Sequence, residues 1–380
     1  MLAQDSWIEL LNGQPIATPA YVFSAGEITR QMRALGAALG TPLVFSVSAC
    51  PNADLLMRLA EDVRFGLRCS SRAEMSLVSG WQSEFSYVNL PSIDVQTMRA
   101  LLGGKFRLIV DAPHQVELLA KLRGKREVMP LTLGVNVGVV NQSIEGAALP
   151  LDHLGMDWDD LRQALALTKA HDIPVDGLQT FGGRHSFGRH AMSIVRAIQD
   201  LVPRVEAHLG RPLRTVNLGG GLEENWQAMG HDFAAYRREV RKFPEHLQVM
   251  HDVGRSVMSS AGCFVTSVVA RKSIQGRSYA ICDGGMIQAF LLSRAAGEHC
   301  LASQPLVRSG DGPIRAAHAN GGGETTIIVG SSSNRADILG SATDELLPGD
   351  ILYFPGAGAY CRTYTPGEYL GHGGAVSYVL

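Results

Sequence analysis

The stretch Leu43-Val44-Phe45-Ser46-Val47-Ser48-Ala49-Cys50-Pro51-Asn52 decides how the chain is read. Leu43–Ser48 is apolar or small, the composition of a buried strand. The run stops at Pro51, which has no amide to give to a ladder. Asn52-Ala53-Asp54-Leu55-Leu56 then opens a helix. A buried strand followed at once by a helix is half of a parallel βα unit. The alternation recurs downstream, with strands predicted at Leu43–Ser48, Arg64–Cys69, Phe85–Asn89, Phe106–Asp111, Leu131–Asn136, Val175–Phe181, Thr215–Gly219 and Gln248–Asp252. Between them lie amphipathic stretches such as Val95, Met98, Leu101, Leu102 and Met192, Val195, Ile198, Leu201. Eight such units predict a closed (β/α)8 barrel, an α/β fold, over residues 25–255. Ser24-Ala-Gly-Glu27 and Ser71-Arg-Ala-Glu74 have the spacing of a capping box, marking two helix starts.

After Gly254 the helical period fades. Short β-type runs, Phe264–Ala270, Tyr279–Cys282, Thr325–Val329 and Asp350–Phe354, are separated by Gly and Pro. They predict a C-terminal all-β domain built from residues 256–380 together with 1–24, where Ala20-Tyr21-Val22-Phe23-Ser24 supplies a strand. Asn320–Gly323 and Ser331–Ser333 read as loops.

Composition narrows the function classes. The 380 residues, 46% hydrophobic and 18% charged, are enough for a large core and a smaller one. A net charge of −2 without long runs of one sign argues against a nucleic-acid or polybasic membrane surface. No apolar run of about 18 residues predicts a membrane span. Met1-Leu-Ala-Gln-Asp-Ser6 lacks the basic start and apolar run of a signal peptide, so a cytoplasmic location is expected. Cys50, Cys69, Cys263, Cys282, Cys300 and Cys361 show no CxxC or Cys/His metal spacing; reduced thiols and no metal are expected.

Two motifs carry chemistry. Val216-Asn217-Leu218 runs into Gly219-Gly220-Gly221, where amides without a Cβ can approach a phosphate, or simply make a tight βα turn. His251-Asp252-Val253-Gly254-Arg255-Ser256 places an acid and a base at the end of the last predicted barrel strand. They form either a structural ion pair or a ligand contact.

With these motifs in place, the chain resembles the fold-type III pyridoxal-phosphate (PLP) decarboxylases, which include diaminopimelate, ornithine and siderophore-pathway decarboxylases on an alanine racemase-like barrel. In that family the first barrel strand reads roughly Tyr-Ala-Val-Lys-Ala-Asn-Pro-Asn, and its lysine forms the Schiff base. Ser48 stands at the lysine position, and a hydroxyl cannot form an imine. The resemblance assigns Gly219, Gly220 and Gly221 to the phosphate. It sets Asp252 in place of the glutamate at the pyridine nitrogen, one methylene shorter, with Gly254 and Arg255 matching directly. Gly356-Ala-Gly-Ala359-Tyr360 matches a Gly-Ala-Tyr whose hydroxyl meets the phosphate. Gly177-Leu-Gln-Thr-Phe181-Gly-Gly-Arg184 puts Phe181 where a histidine stacks on the ring; a phenyl ring can stack but cannot donate. Gly330-Ser-Ser-Ser333-Asn-Arg-Ala-Asp337 puts Ser333 at the position of an acidic cysteine, and keeps as Asp337 an aspartate that grips a distal amine. Gly134 stands where the family has arginine. Lys105, Lys121, Lys125, Lys169, Lys242 and Lys272 fall at helix ends or between strands.

The resemblance thus implies a homodimeric decarboxylase of weak or altered activity in small-molecule biosynthesis. PLP would be held non-covalently, and the substrate would be a small amine- or amino-acid-like metabolite. Two alternatives stay open. One is a non-catalytic homologue that binds a metabolite or forms a heteromer with an active paralogue. The other is an enzyme repurposed without PLP, using Ser48, His153, Arg184, His185 and Asp252 as polar groups.

Overall fold

The computed structural model describes residues 4–81, 83, 85–136, 138, 153–301, 303–317, 325–367, 369–371 and 373–380. The chain forms two compact units, residues 32–51 with 63–254, and residues 1–31 with 52–62 and 255–380. The first strand, β1 (Ala20–Phe23), belongs to the second of these.

The first unit is an eight-stranded parallel barrel. Its strands are β2 (Leu43–Ser46), β3 (Gly66–Cys69), β4 (Ser86–Asn89), β5 (Arg107–Val110), β6 (Leu131–Val135), β7 (Val175–Thr180), β8 (Thr215–Asn217) and β9 (Gln248–Val253). They pair in sequence order, and β9 closes on β2 through Leu43↔His251, Val44↔Asp252 and Phe45↔Val253. All eight expected strands are present. Most end a residue or two short of the apolar pattern, because the last apolar residues belong to turns: Val47–Ala49 is a single 3-10 turn after β2.

The barrel interior is layered. Near the strand starts, Arg107 and Asp176 form an ion pair. Above it Val44, Tyr87, Ile109 and Met250 pack as an apolar cluster. The upper layer, at the strand ends, is polar. His251 points away from these layers. Its ring lies buried between Thr41 Oγ1 and Tyr236 Oη, each at 2.7 Å, and burial pushes its pKa down to about 3.

The second unit is a mainly antiparallel sheet. Its further strands are β10 (Gly262–Ile274), β11 (Arg277–Cys282), β12 (Leu306–Arg308), β13 (Arg315–Ala316), β14 (Thr326–Val329), β15 (Ile338–Ala342), β16 (Ile351–Pro355) and β17 (Val376–Val379). β10 organises it: its first residues pair with β1 and β16, its later ones with β11. Trp7, Leu11, Val22, Val265, Leu306 and Tyr353 fill the core beside it. The sequence pattern missed β12, β13, β15 and β17, which are short or mixed in polarity. The Asn320–Gly323 patch lies outside the described residues.

Each capping box forms by half. Ser71 Oγ accepts from the Glu74 amide at 3.1 Å, but the Glu74 carboxylate reaches the Ser70 amide, one residue early. Ser24 Oγ accepts from the Glu27 amide at 3.2 Å, while the Glu27 carboxylate binds Arg30, Gln31 and Ser260.

Candidate cofactor site at the barrel mouth

In a parallel barrel the strand C-termini and the loops after them form the mouth, where chemistry is carried. Four adjacent strands, β3, β2, β9 and β8, bring Arg68, Ser46, Asp252 and Asn217 to that end. Arg68 Nη1 stands 3.2 Å from Asp252 Oδ2, and its Nη2 donates to Ser46 Oγ at 3.2 Å. Asn217 Nδ2 donates to Asp252 Oδ1 at 2.8 Å. Asp252 is 4% exposed and Arg68 18%. A buried carboxylate is tolerated only when paired and hydrogen-bonded, and this network supplies both. Asp252 Oδ2 and Arg68 Nε nonetheless lack a hydrogen bond among the described residues.

The glycine turn grows out of the same network. Asn217 Oδ1 accepts from the Gly219 amide at 2.9 Å, and Gly219 carbonyl accepts from the Asp252 amide at 2.9 Å. Gly219 has φ +72°, and a Cβ there would lie 2.3 Å from Thr180 O. Gly221, at φ +94°, would place one 2.3 Å from Ser186 Oγ. The protein's own packing therefore requires these glycines. The amides of Gly220 and Gly221 donate to no acceptor among the described residues, which leaves two backbone donors for an anion. Ser186 follows, donating to Gly183 O at 2.8 Å, and the helix Phe187–Leu209 starts there with its Phe187 amide on Gly221 O. His185 pairs with Glu224 at 2.9 Å, with Arg184 at 3.8 Å from the same carboxylate.

Phe181 lies just past β7, half-buried, and lines a cavity of about 30 Å³ with Arg68, Asn89, Asp111 and Gln179. That is room for about two waters. Burial holds the Asp111 carboxyl above the usual range, against the opposing pull of the Asn89 amide and of the Arg68 and His153 charges. A Cβ at Gly134 would sit 2.3 Å from Asp111 Oδ1, so Asp111 fills the space in which an arginine at that position would have to start.

Ser48 sits half-buried in the 3-10 turn directly after β2. The chain has six lysines, all exposed. Lys105, Lys121, Lys125, Lys169 and Lys242 lie at helix ends or in the segments that lead into a barrel strand, and Lys272 lies in β10. Segments leading into strands form the face opposite the mouth. No barrel lysine therefore stands where it could substitute for a lysine at position 48.

In the other unit, the short helix Arg255–Met258 begins right after Gly254, and the Arg255 guanidinium stacks 4.8 Å over the Tyr360 ring. Tyr360 is held at φ +61°, a conformation that residues other than glycine adopt only at a cost. Ser333 is exposed. Asp337 is buried within its unit. It is 2% exposed, accepting from the Met286 amide at 2.7 Å and from the Ser332 amide and hydroxyl at 3.0 and 2.6 Å. Its carboxylate pins one loop to another. Sequence reading missed Arg68 and Asn217. The available signal was a charged residue inside the otherwise apolar run Phe65–Cys69, and a lone amide in Thr215–Leu218.

A parallel barrel with an anion-ready glycine turn and a buried acid at its mouth defines a class, and comparison with known proteins gives the family. Residues 25–267 match the pyridoxal-dependent decarboxylase family, pyridoxal-binding domain, and the chain belongs to that family. It is 23% identical to the L-glutamyl-[BtrI acyl-carrier protein] decarboxylase of Niallia circulans, over 93% of this chain and 87% of that protein. It is 27% identical to the diaminopimelate decarboxylase of Pseudomonas aeruginosa, over 90% and 83%. The fold is shared with diaminopimelate decarboxylase of Helicobacter pylori complexed with L-lysine (TM-score 0.78, 17% identity, 98% of this chain and 94% of that one). It is shared too with the Paramecium bursaria Chlorella virus arginine decarboxylase bound to agmatine (TM-score 0.78, 17% identity, 100% of both). Among the described residues no helix is long and apolar enough to cross a membrane.

Proposed function

We propose that this chain holds PLP without a covalent bond and is a decarboxylase-family protein of weak or altered turnover toward small amino acids. The carrying observation is that all six lysines stand away from the barrel mouth while Ser48 occupies the turn after the first strand.

The residues present fit the group. Among the described residues the Gly220 and Gly221 amides donate to no acceptor and so can serve a phosphate, and Asp252 Oδ2, ion-paired with Arg68, accepts no hydrogen bond. Phe181, whose Cα lies 3.1 Å from where a Cβ on Gly219 would stand, lines the mouth cavity with Arg68 and brings an aromatic ring to it. Bound PLP supplies an electron sink for loss of carbon dioxide from an α-amino acid. The protein's part is to orient and to enclose. The Asn217 amide fixes Asp252 and Gly219 together, so the acid and the phosphate turn move as one piece. With a hydroxyl at position 48, no side chain there can exchange covalently with a substrate amine or move a proton as an amine does.

The replaced positions Ser48, Phe181, Ser333 and Gly134 also favour a second reading, a non-catalytic partner of an active paralogue. Titration with PLP separates the readings. Saturable binding that dialysis reverses, with no cofactor mass added to the chain after borohydride reduction, supports the first. Absence of binding refutes it and favours the second. Self-association, implied by the family resemblance, is checked by the mass in solution at micromolar concentration; a monomer would refute it.

A further inference from the structure

Among the described residues the Arg68–Asp252 pair is the most buried ion pair at the mouth. Asp252 is the residue that the reading above sets at the ring nitrogen. Its negative charge is already matched by a guanidinium 3.2 Å away, and its other oxygen is taken by Asn217. A proton on a ring nitrogen beside Asp252 would therefore add a second positive charge next to Arg68. Resting on that reading, we propose that Arg68 is a positioning residue that neutralises Asp252, so that a pyridine ring bound at the mouth stays unprotonated at neutral pH. An unprotonated ring is a poor electron sink, so the site binds the ring while withholding its carbanion-stabilising power.

The other groups that face this pair do not change the sign. Ser46 on β2 and Asn217 on β8 are neutral partners. Asp252 is the only carboxylate within 4 Å of the guanidinium among the described residues, while Glu74 and Asp111, whose carboxyls burial raises, feel its charge from further off. His153 acts on Asp111. Burial pushes the Tyr87 phenol up to about 12, which keeps it neutral. The nearest buried ion pair below, Arg107 with Asp176, is closed on itself.

The test uses the full chain and pyridoxine 5′-phosphate labelled with ¹⁵N at the ring. That ligand has no aldehyde, so position 48 plays no part. The ¹⁵N shift of the bound ring reports its protonation across roughly pH 5.5 to 9. In the wild type the ring is expected unprotonated at neutral pH. Arg68→Ala frees Asp252 and raises the ring's protonation midpoint by about one pH unit or more, tenfold in the equilibrium. Arg68→Lys, which keeps the charge, holds the wild-type midpoint. Asp252→Asn lowers the midpoint by a similar amount, and this arm stands even where Arg68→Ala does not fold. A midpoint that moves by less than about 0.3 unit in both Arg68→Ala and Asp252→Asn overturns the inference while leaving cofactor binding intact. Failure of the wild type to bind the ligand at all overturns the cofactor reading itself, and the two failures are told apart by the binding isotherm.

Discussion

Acid should weaken the barrel through one histidine. His251 is uncharged in the folded chain, locked between Thr41 and Tyr236 in a buried site, and burial pushes its pKa from 6.5 down to about 3. The unfolded chain binds a proton below about pH 6.5 that the folded chain refuses until near 3. The stabilisation is thus present above the unfolded value and is lost as pH falls between the two. The slope in that window is about 1.4 kcal/mol per pH unit, so going from about pH 7 to pH 5 removes about 2 kcal/mol. Urea unfolding followed by tryptophan fluorescence reads this, because Trp81, Trp158 and Trp226 lie in the barrel unit. His251→Asn does not titrate and loses that part of the pH dependence, whatever its stability at neutral pH. Other groups contribute equally to both proteins, so the difference in slope isolates the histidine. An equal loss of stability on acidification in both would refute the reasoning.

Asp252→Ala strands the Arg68 charge and should lower stability by about 3 kcal/mol, whereas removing both partners with Arg68→Met and Asp252→Leu should recover most of it; the same unfolding curves decide. Gly219→Ala meets both a left-handed backbone and the Thr180 carbonyl, so it should cost at least about 1–2 kcal/mol and weaken PLP binding measured by titration. Carbon dioxide release from lysine, ornithine or diaminopimelate should be weak or absent, since each lost acid/base role is worth roughly 100- to 10,000-fold. Ordinary enzyme rates would show that another group has taken over.

What was legible in the sequence was set by period and by glycine. The barrel strands are buried apolar runs in parallel order, and such runs announce themselves without help from distant residues. The glycine turn was legible because close backbone approach excludes every other residue at Gly219 and Gly221. The pairing of Arg68 with Asp252 was not, because the two are 184 positions apart and only barrel closure, β9 against β2, makes them neighbours. The surroundings of Asp337 were illegible for a related reason. A motif match gives identity but not orientation, and its carboxylate turns inward to Met286 and Ser332.

Ser48 and Arg68 are best considered together. The turn that carries Ser48 packs against β3, the strand of Arg68. Around that point stand three carboxylates, Asp252, Asp111 and Glu74, all of which interact with Arg68. Of these Asp252 is the fully buried one and the one within 4 Å of the guanidinium, and a buried carboxylate needs a cation. With a hydroxyl at position 48 and every lysine elsewhere, the guanidinium is the group that meets the need. It meets it differently from an amine: it stays charged at any working pH, so it can neither attack a carbonyl nor shuttle a proton. A lysine at a mouth serves as both counter-ion and reagent. Under the proposed reading the counter-ion of Asp252 is Arg68, and the hydroxyl at position 48 supplies no reagent amine.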